Sequence, residues 1–199
     1  MNITEVKFIK SSSDPTECPK PAFPEYAFAG RSNSGKSSLI NMLVSQKKLA
    51  KVSSTPGKTR LINHFLVNGN WYLVDLPGYG YAKVAGNIRR TFPSIMKDYL
   101  IARKNLACLF LLVDSRREPL PNDLEAIEWL GVNKIPFVLV FTKADKVSAN
   151  ALNSHIAAYR KKMLERWESL PGIFTTSSVR NAGRDEILKF IENTNKVFI

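Results

Sequence analysis

Gly30–Ser37 reads GRSNSGKS and matches the pattern GxxxxGK followed by Ser or Thr. The segment before it, 25–30 (EYAFAG), is apolar like a buried strand, and the segment after it, 36–45, has the spacing of a helix. A glycine-rich loop in this context turns backbone N–H groups toward phosphate oxygens, and the helix N-terminus adds partial positive charge. The stretch therefore predicts a phosphate-binding loop, called the phosphate loop below. Lys36 would reach the outer phosphates of a nucleotide, and Ser37 would give its hydroxyl to Mg²⁺. A glycine-rich turn without a ligand is the alternative.

Outward from this loop, apolar segments alternate with segments of helical period. The predicted strands are 25–30, 61–68, 71–76, 107–114, 136–142 and 173–177, and the predicted helices are 36–45, 121–130, an amphipathic helix with Leu152, Ile156, Tyr159, Met163 and Trp167, and 184–193. The turn Asn68-Gly69-Asn70 makes the strands on its two sides antiparallel. We therefore predict a three-layer α/β fold of the P-loop NTPase type. Its six-stranded sheet is mostly parallel, with one antiparallel strand and helices on both faces.

The N-terminal segment differs in composition from the rest of the chain. Residues 11–24 (SSSDPTECPKPAFP) contain four prolines and three serines, which disfavour a helix. We expect residues 1–22 to form an extended N-terminal arm and residues 23–199 to form one nucleotide-binding domain. A chain of 199 residues is long enough for one such domain with a substantial core.

The chain is strongly basic, with 29 Lys and Arg against 17 Asp and Glu and a net charge of +12. This charge favours a polyanionic partner, most simply nucleic acid, although solubility or the binding of a small phosphate ligand would also explain it. The sequence has no run of about 18 apolar residues and no signal-peptide pattern. We therefore expect no membrane partner and a cytoplasmic location. Cys18 and Cys108 form neither a disulfide framework nor a zinc pattern.

A second candidate segment, Asp75-Leu76-Pro77-Gly78, follows a predicted strand and reads DLPG. An acid at the end of a strand beside a phosphate loop can hold Mg²⁺ through water. The Gly78 N–H is then placed to face a γ-phosphate. A turn after a strand often has this composition, so the segment is informative only together with the phosphate loop.

The segment Thr142-Lys143-Ala144-Asp145, called the base loop below, follows the predicted strand 136–142. Guanine presents an N1–H and an N2 amino group side by side, and one carboxylate can accept from both, whereas adenine offers no such pair. Asp145 therefore favours guanine, with the Lys143 stem along the base. Ser177 and Ser178 close the next strand and would offer backbone N–H groups to the guanine O6. A solvated turn at a strand end is the alternative.

Four segments together resemble the EngB family of translation-factor-class GTPases: AFAGRSNSGKSSLIN, STPGKTRLIN, LVDLPGYGYAK and TKADK. The resemblance extends from about Pro24 to about Gly183. It implies a Mg²⁺-dependent GTPase of small-GTPase fold, with 23–199 as the GTP-binding domain. It also implies a role in large ribosomal subunit assembly and in cell division and septation. We therefore expect the large ribosomal subunit or its precursor as a partner, bound through ribosomal RNA. We expect a monomer.

The resemblance also implies site residues. The nucleotide would be bound by Gly30, Arg31, Ser32, Asn33, Ser34, Gly35, Lys36, Ser37, Gly57, Lys58, Thr59, Arg60, Leu61, Asp75, Leu76, Pro77, Gly78, Thr142, Lys143, Ala144, Asp145, Thr176, Ser177 and Ser178. The Mg²⁺ ligands would be Ser37, Asp75 and, from a first switch at 54–59, Thr59. The catalytic residues would be Lys36, Thr59, Gly78 and Asn33. Position 142 is Thr where most GTPases have Asn, so we expect modest nucleotide affinity.

The catalytic machinery is incomplete in the sequence. Tyr79 stands where a water-orienting Gln would follow the DLPG segment, and no arginine finger can be assigned. We expect slow hydrolysis of GTP unless a partner completes the site. Relatives with Asn at the position of Asn33 often use K⁺ as a substitute cation; a loop Asn that satisfies local backbone groups is the alternative. Tyr79 and Tyr81 could stack on a partner or pack on the sheet.

Two basic segments lie in or beside the regions that should sense the γ-phosphate. Residues 46–60 contain five basic groups and no acid, and residues 83–104 contain six basic groups and one acid. We expect GTP to order them as a face for ribosomal RNA; a solvated charged surface is the alternative. Two other functions compete with a ribosome-assembly switch. One is a P-loop kinase or ATPase, which Asp145 opposes, and the other is a nucleotide-gated adaptor in septation without direct ribosome binding.

Overall fold

A computed structural model describes residues 1–46, 49, 61–80, 83–84, 87–88 and 92–198 of the chain. Its strands are β1 (Val6–Ser12), β2 (Glu25–Gly30), β3 (Ile62–Val67), β4 (Trp71–Asp75), β5 (Lys83–Val84), β6 (Asn87–Ile88), β7 (Leu106–Asp114), β8 (Phe137–Thr142) and β9 (Ile173–Thr175). Its α-helices are α1 (Lys36–Leu43), α2 (Ser94–Ala102), α3 (Pro121–Val132), α4 (Ala149–Leu164) and α5 (Arg184–Val197).

Seven strands form one sheet in the order β1-β3-β4-β2-β7-β8-β9, and β5 and β6 form a separate two-stranded pair. In this sheet the neighbouring pairs β4–β2, β2–β7, β7–β8 and β8–β9 are parallel, whereas β3 is antiparallel to both β1 and β4. Within the seven-stranded sheet β3 therefore runs against the other strands. This confirms the predicted α/β class and the single reversed strand.

The prediction of six strands is corrected to seven, because part of the expected arm joins the sheet. β1 pairs with β3 from Val6↔Val67 to Ser12↔Ile62, with a bulge between Phe8 and Lys10. The Asn68 Oδ1 atom also accepts from the N–H groups of Thr4 (2.9 Å) and Glu5 (3.1 Å). Phe8 is 57% exposed on this edge strand. The strand is held mainly by backbone pairing, which an apolar pattern does not reveal.

Two apolar layers cover the central strands. On one face, α1 and α5 pack with the aromatic side chains of Tyr26, Phe28 and Phe110. On the other face, α2, α3 and α4 pack with small and aliphatic residues that include Ala27 and Leu111. Strands that are apolar on both faces need helices on both sides, and this gives the predicted three layers.

Local sequence signals explain where α3 and α4 begin, whereas α3 ends later than predicted. Pro121 occupies the first turn of α3, and the Ser148 hydroxyl caps α4 by accepting from Ala151 N–H at 3.2 Å. Gly131 follows the predicted helix 121–130 but lies inside the last turn of α3. A Cβ atom there would come within 2.5 Å of the Trp167 ring, so glycine permits the close approach of that ring. The helix α2 was not predicted.

No helix within the described ranges is both long and apolar enough to span a membrane. The carboxyl ends of β2, β4, β7, β8 and β9 lie at the same edge of the sheet, because these strands are parallel. In open α/β sheets, ligands bind at this edge.

Candidate functional site

The phosphate loop connects the end of β2 to the start of α1. Asn33 (φ 67°) and Gly35 (φ 96°) have left-handed backbone conformations, which Asn tolerates and glycine adopts freely. Gly35 is the N-cap residue of α1 and has no side chain with which to cap the helix. No side chain at this position therefore caps the first-turn N–H groups of α1. A helix terminus that binds an anion needs such uncapped N–H groups.

The segment after β4 packs directly against the phosphate loop. Ser32 N–H donates to the Tyr79 carbonyl (3.0 Å), and Tyr79 N–H donates to the Gly30 carbonyl (3.2 Å). A Cβ atom on Gly78 would lie 3.3 Å from Ser32 Oγ. The structure thus brings the predicted γ-phosphate sensor, Gly78, to the phosphate loop.

Lys36 and Asp75 form an ion pair between α1 and the end of β4. Their side chains are only 11% and 7% exposed. Ser37 is the next residue after Lys36 in the first turn of α1. The predicted phosphate-binding ammonium therefore contacts one predicted metal ligand, Asp75, and the other, Ser37, is the next residue in the chain. Carboxylate and hydroxyl oxygens are the hard donors that Mg²⁺ prefers, so these residues fit such an ion.

The base loop is tied to the phosphate loop by two consecutive side chains. The Thr142 hydroxyl contacts the Ser34 carbonyl and lies 3.2 Å from the Val113 carbonyl. Lys143 Nζ donates to the Asn33 carbonyl at 2.6 Å. Thr142 was predicted as a nucleotide contact with one amide contact fewer than Asn, and its tie to the phosphate loop was missed.

Asp145 is held as an ionised acceptor. The Ser177 hydroxyl donates to Asp145 Oδ1 at 2.6 Å, and Lys146 Nζ lies 3.6 Å from Oδ2. The hydrogen bond from Ser177 is the main cause that lowers the pKa of Asp145 below its ordinary value. The loops after β8 and β9 also meet through Ala144 N–H, which donates to the Thr176 carbonyl at 3.0 Å. The arrangement leaves a carboxylate suited to the paired N–H donors of guanine.

The serines after β9 differ from the expectation. Ser177 N–H donates to the Ala182 carbonyl at 3.2 Å, and Ala182 N–H returns a bond of 3.0 Å to the Ser177 carbonyl. The Ser177 N–H is therefore already used, and Ser177 acts through its hydroxyl on Asp145 instead. Of the two predicted donors to guanine O6, this removes Ser177, while Ser178, which is exposed, stays a prediction.

Tyr79 packs inside the protein, which decides between the two predicted roles for this residue. Its side chain is 1% exposed, and its hydroxyl donates to Asp123 Oδ1 at 3.1 Å. The Tyr159 hydroxyl donates to the other carboxylate oxygen at 3.2 Å. Burial raises the pKa values of Tyr79 and Asp123. The Tyr79 hydroxyl is thus engaged with α3 and not directed at a nucleotide.

Several predicted site residues lie outside the described residues. They are the first switch at 54–59, with Gly57, Lys58 and Thr59, as well as Arg60 and Tyr81. Most of the basic segment 46–60 and the side chains of 81–91 are outside as well. Leu61, which precedes β3, is described and is 39% exposed.

Sequence reasoning missed Asp114, the last residue of β7. In the sheet Asp114 is the register partner of Thr142, which places it beside the base loop. Its carboxylate accepts from Lys143 Nζ at 2.8 Å. The available signal was an acid at the carboxyl end of a predicted central strand, where ligands bind in such sheets.

Comparison with known proteins agrees with this geometry. The family model described as "50S ribosome-binding GTPase" matches residues 25–143. A probable GTP-binding protein EngB from Bacteroides fragilis is 53% identical over 196 residues, which cover 98% of each chain. The corresponding protein from Porphyromonas gingivalis is 51% identical with the same coverage.

Solved structures show the same fold. A crystal structure of a probable GTP-binding protein engB has a TM-score of 0.65 at 23% identity and covers 86% of this chain and 98% of that one. Era bound to MgGDPNP and a segment of 16S ribosomal RNA has a TM-score of 0.61 at 24% identity. Its match covers 85% of this chain and 55% of that one. The chain therefore belongs to the EngB family of GTP-binding proteins and is a GTP-hydrolysing enzyme of the P-loop fold.

Proposed function

We propose that this GTPase is a Mg²⁺-dependent switch that acts in assembly of the large ribosomal subunit. One observation carries the nucleotide part of the proposal. The side chains of Thr142 and Lys143 tie the base loop to carbonyl groups of the phosphate loop. A single ligand with a guanine base and a phosphate tail would touch both loops at once. Its binding would therefore depend on how the phosphate loop and the base loop are arranged relative to each other.

The two loops divide the recognition of this ligand. The phosphate loop, with Lys36 and the N-terminus of α1, would bind the phosphates by charge and by backbone N–H groups. Asp145 would select guanine, because its carboxylate accepts from two adjacent donors that adenine lacks. Leu76 and Pro77 would hold Gly78 at the γ-phosphate, and Ser178 would contact the base.

Ser37 and Asp75 would hold Mg²⁺, with Thr59 as a further ligand in the GTP state. The ion would supply positive charge to the β- and γ-phosphate oxygens. Lys36, now paired with Asp75, would turn its ammonium to the phosphates. These residues thus provide both the cation and the hard oxygen donors that a triphosphate needs.

Hydrolysis by the chain alone should be slow. Tyr79 occupies the position after DLPG, and its hydroxyl is engaged by the buried Asp123. This side chain therefore contributes no group to orient the attacking water. We expect a rate on the order of 10⁻⁴ to 10⁻² per second, as for GTPases without an assisting partner. Single-turnover hydrolysis by the purified chain checks this, and a rate well above that range would contradict it.

K⁺ is the candidate for an assisting cation, through the side chain of Asn33. Asn33 is exposed and has a left-handed backbone, and its carbonyl accepts from Lys143. The same observations suit a loop Asn that only shapes the turn. Hydrolysis rates in K⁺ and in Na⁺ at equal ionic strength distinguish the two roles. We expect faster hydrolysis in K⁺, and equal rates would leave Asn33 with a structural role.

The ribosomal part of the proposal rests on charge and on relatives. The net charge of +12 suits an RNA partner. The matching family is described as ribosome-binding, and Era, which shares the fold, is bound to ribosomal RNA. We propose that the protein works as a cytoplasmic monomer and that GTP orders the basic segment 46–60 and the part of 83–104 that precedes α2. The Ser94–Ala102 segment already forms α2, and Arg103 is paired with the buried Glu25, so this end of the second basic segment is not part of the proposed RNA face. We further propose that normal cell division and septation depend on this role.

Cosedimentation of the full chain with purified ribosomal subunits tests this part. We expect binding to the large subunit with a non-hydrolysable GTP analogue, weaker binding with GDP, and weakening as salt rises. Binding that ignores both nucleotide and salt would contradict the proposal. No ribosome binding in any state would favour a nucleotide-gated adaptor in septation.

A further inference from the structure

We infer that Asp114 is a positioning residue for the nucleotide site, acting through Lys143 on the phosphate loop. The inference rests on the proposed guanine-nucleotide site and extends it to a residue outside the known motifs of the sequence. Asp114 ends β7 and stands in register with Thr142 at the end of β8. The residue is therefore fixed by the sheet, whereas Lys143 and Asn33 lie beyond the ends of β8 and β2.

Lys143 Nζ bridges two acceptors. It donates to the Asn33 carbonyl in the phosphate loop (2.6 Å) and to Asp114 Oδ2 (2.8 Å). Both residues joined by the first bond, Asn33 and Lys143, have left-handed backbones, with φ values of 67° and 60°. Such conformations persist where surrounding contacts enforce them. The carboxylate of Asp114 provides the contact that holds the ammonium over the Asn33 carbonyl.

The carboxylate of Asp114 also accepts three bonds from Arg116, one of them from the backbone N–H, which an alanine at position 116 would keep. Arg116 donates through its Nε to Oδ1 (2.9 Å), through Nη2 to Oδ2 (2.7 Å), and through its backbone N–H to Oδ1 (3.1 Å). The side chain of Asp114 is 14% exposed, that of Lys143 27% and that of Arg116 47%. Hydrogen bonds between charged groups are stronger where water is largely excluded. The bond to Lys143 should therefore matter more than the bonds to Arg116.

Arg117 provides a neighbouring charge for comparison. A cavity of about 370 Å³ lies between the phosphate loop and the start of α3, and Asp114, Arg116 and Arg117 all line it. Arg117 is exposed, and its backbone N–H donates to the Asp114 carbonyl at 3.0 Å. Replacing its side chain removes a cation from the same cavity but preserves that backbone bond.

The test measures the rate at which a fluorescent GDP analogue leaves the full chain in Mg²⁺ buffer. We expect Asp114→Asn to speed dissociation roughly ten- to hundredfold, the range for losing a hydrogen bond between charged groups. Arg116→Ala and Arg117→Ala should each change the rate less than about threefold, as exposed charges do. Asp114→Glu, which keeps the charge, should fall between wild type and Asp114→Asn. It also provides a second reading if Asp114→Asn folds poorly.

A double-mutant cycle shows whether Asp114 acts through Lys143. In the Lys143→Met background, adding Asp114→Asn should have almost no further effect on the rate, because the ammonium it positions is absent. If the double variant instead shows the product of the two single fold changes in dissociation rate, the inference is overturned. An Arg116→Ala effect equal to that of Asp114→Asn would overturn it too, because Asp114 would then act through Arg116 and not through Lys143.

Failure of the inference can be told apart from failure of the proposed nucleotide site. If the wild-type chain does not bind the GDP analogue, both are overturned. If it binds, and Asp145→Asn transfers preference to xanthine nucleotides while Asp114→Asn leaves the GDP dissociation rate unchanged, only the role of Asp114 is overturned.

Discussion

The two edges of the sheet use charged residues in opposite ways. At the carboxyl edge, called the loop edge below, Lys36, Asp75 and Asp145 lie in or beside the loops of the candidate site. At the amino edge, Glu25 is completely buried and accepts from Tyr99 OH (2.6 Å) and Arg103 Nε (3.0 Å). His64 Nε2 lies 3.3 Å from the same carboxylate. Burial with a protein partner does not by itself separate the two groups, because Lys36 and Asp75 are also paired and largely buried. What differs is position: Lys36 and Asp75 lie beside the phosphate loop at the edge where ligands bind in such sheets, whereas Glu25 lies at the opposite edge.

The Glu25 cluster, which consists of Glu25, His64, Tyr99 and Arg103, also explains how the N-terminal segment is anchored. Arg103 Nη2 donates to the Pro19 carbonyl at 2.9 Å and so connects the segment before β2 to the end of α2. Burial raises the pKa of Glu25, but His64, Arg103 and Tyr99 together lower it to about 2. The carboxylate is therefore ionised at neutral pH.

The largest expected effect is on base selection at the loop edge. Asp145→Asn replaces two acceptors with one acceptor and one donor, which match the N1–H and O2 of xanthine. We expect the ratio of GDP to XDP affinity to fall by roughly 10⁴, as for sites built around specific hydrogen bonds. Calorimetric titration with both nucleotides measures it. Asp185→Asn, at a side chain 96% exposed, is the matched control and should leave the ratio unchanged.

The second effect is on stability at the amino edge. Glu25→Gln removes the negative charge and leaves Arg103 without its buried partner. We expect the free energy of unfolding to fall by about 3–5 kcal/mol, the usual cost of breaking a buried ion pair. Urea unfolding measures it. The exposed Glu118→Gln should stay within about 0.5 kcal/mol of wild type. Equal effects of the two variants would remove the distinction between the edges.

The third effect is the pH dependence of that same cluster. The pKa of Glu25 is about 2 in the folded chain and 4.5 in its ordinary state. Its contribution to stability is therefore complete well above pH 4.5 and is lost as the pH falls toward 2. The difference in unfolding free energy between wild type and Glu25→Gln should shrink by roughly 1 kcal/mol between pH 7 and pH 3.5. A difference that does not change with pH would show that Glu25 is not the titrating group.

The smallest expected effect is on hydrolysis and concerns Tyr79, whose backbone bonds to the phosphate loop while its hydroxyl bonds to α3. Tyr79→Phe leaves Asp123 with one phenol donor, so we expect a loss of about 1–2 kcal/mol in unfolding free energy. GTP hydrolysis should change less than about twofold, because the hydroxyl bonds to α3. Tyr159→Phe removes the other donor to Asp123 and is the matched control. A large loss of hydrolysis in Tyr79→Phe alone would give this hydroxyl a catalytic role.

Much of the loop edge could be predicted because its chemistry is local in sequence. Gly30–Ser37, Asp75–Gly78 and Thr142–Asp145 each combine a strand end with residues suited to one part of a nucleotide. Parallel strands then bring their ends to one edge. Neighbouring residues in the chain were enough to locate these segments.

Features that depend on distant residues could not be predicted in this way. β1 is held by backbone pairing with β3, and Gly131 is required by the ring of Trp167. The bond from Lys143 to Asp114 joins residues 29 positions apart. The hydrogen bond from Tyr79 to Asp123 likewise depends on how α3 packs, which no local sequence pattern predicts.

The most direct test of a guanine-nucleotide site at the loop edge is calorimetric titration of the purified full chain in Mg²⁺ buffer, with GDP and with ADP. We expect saturable heat from GDP and none from ADP at the same concentrations. Equal heats from both nucleotides, or no heat from GDP, would contradict a site in which the phosphate loop holds the phosphates and Asp145 selects the base.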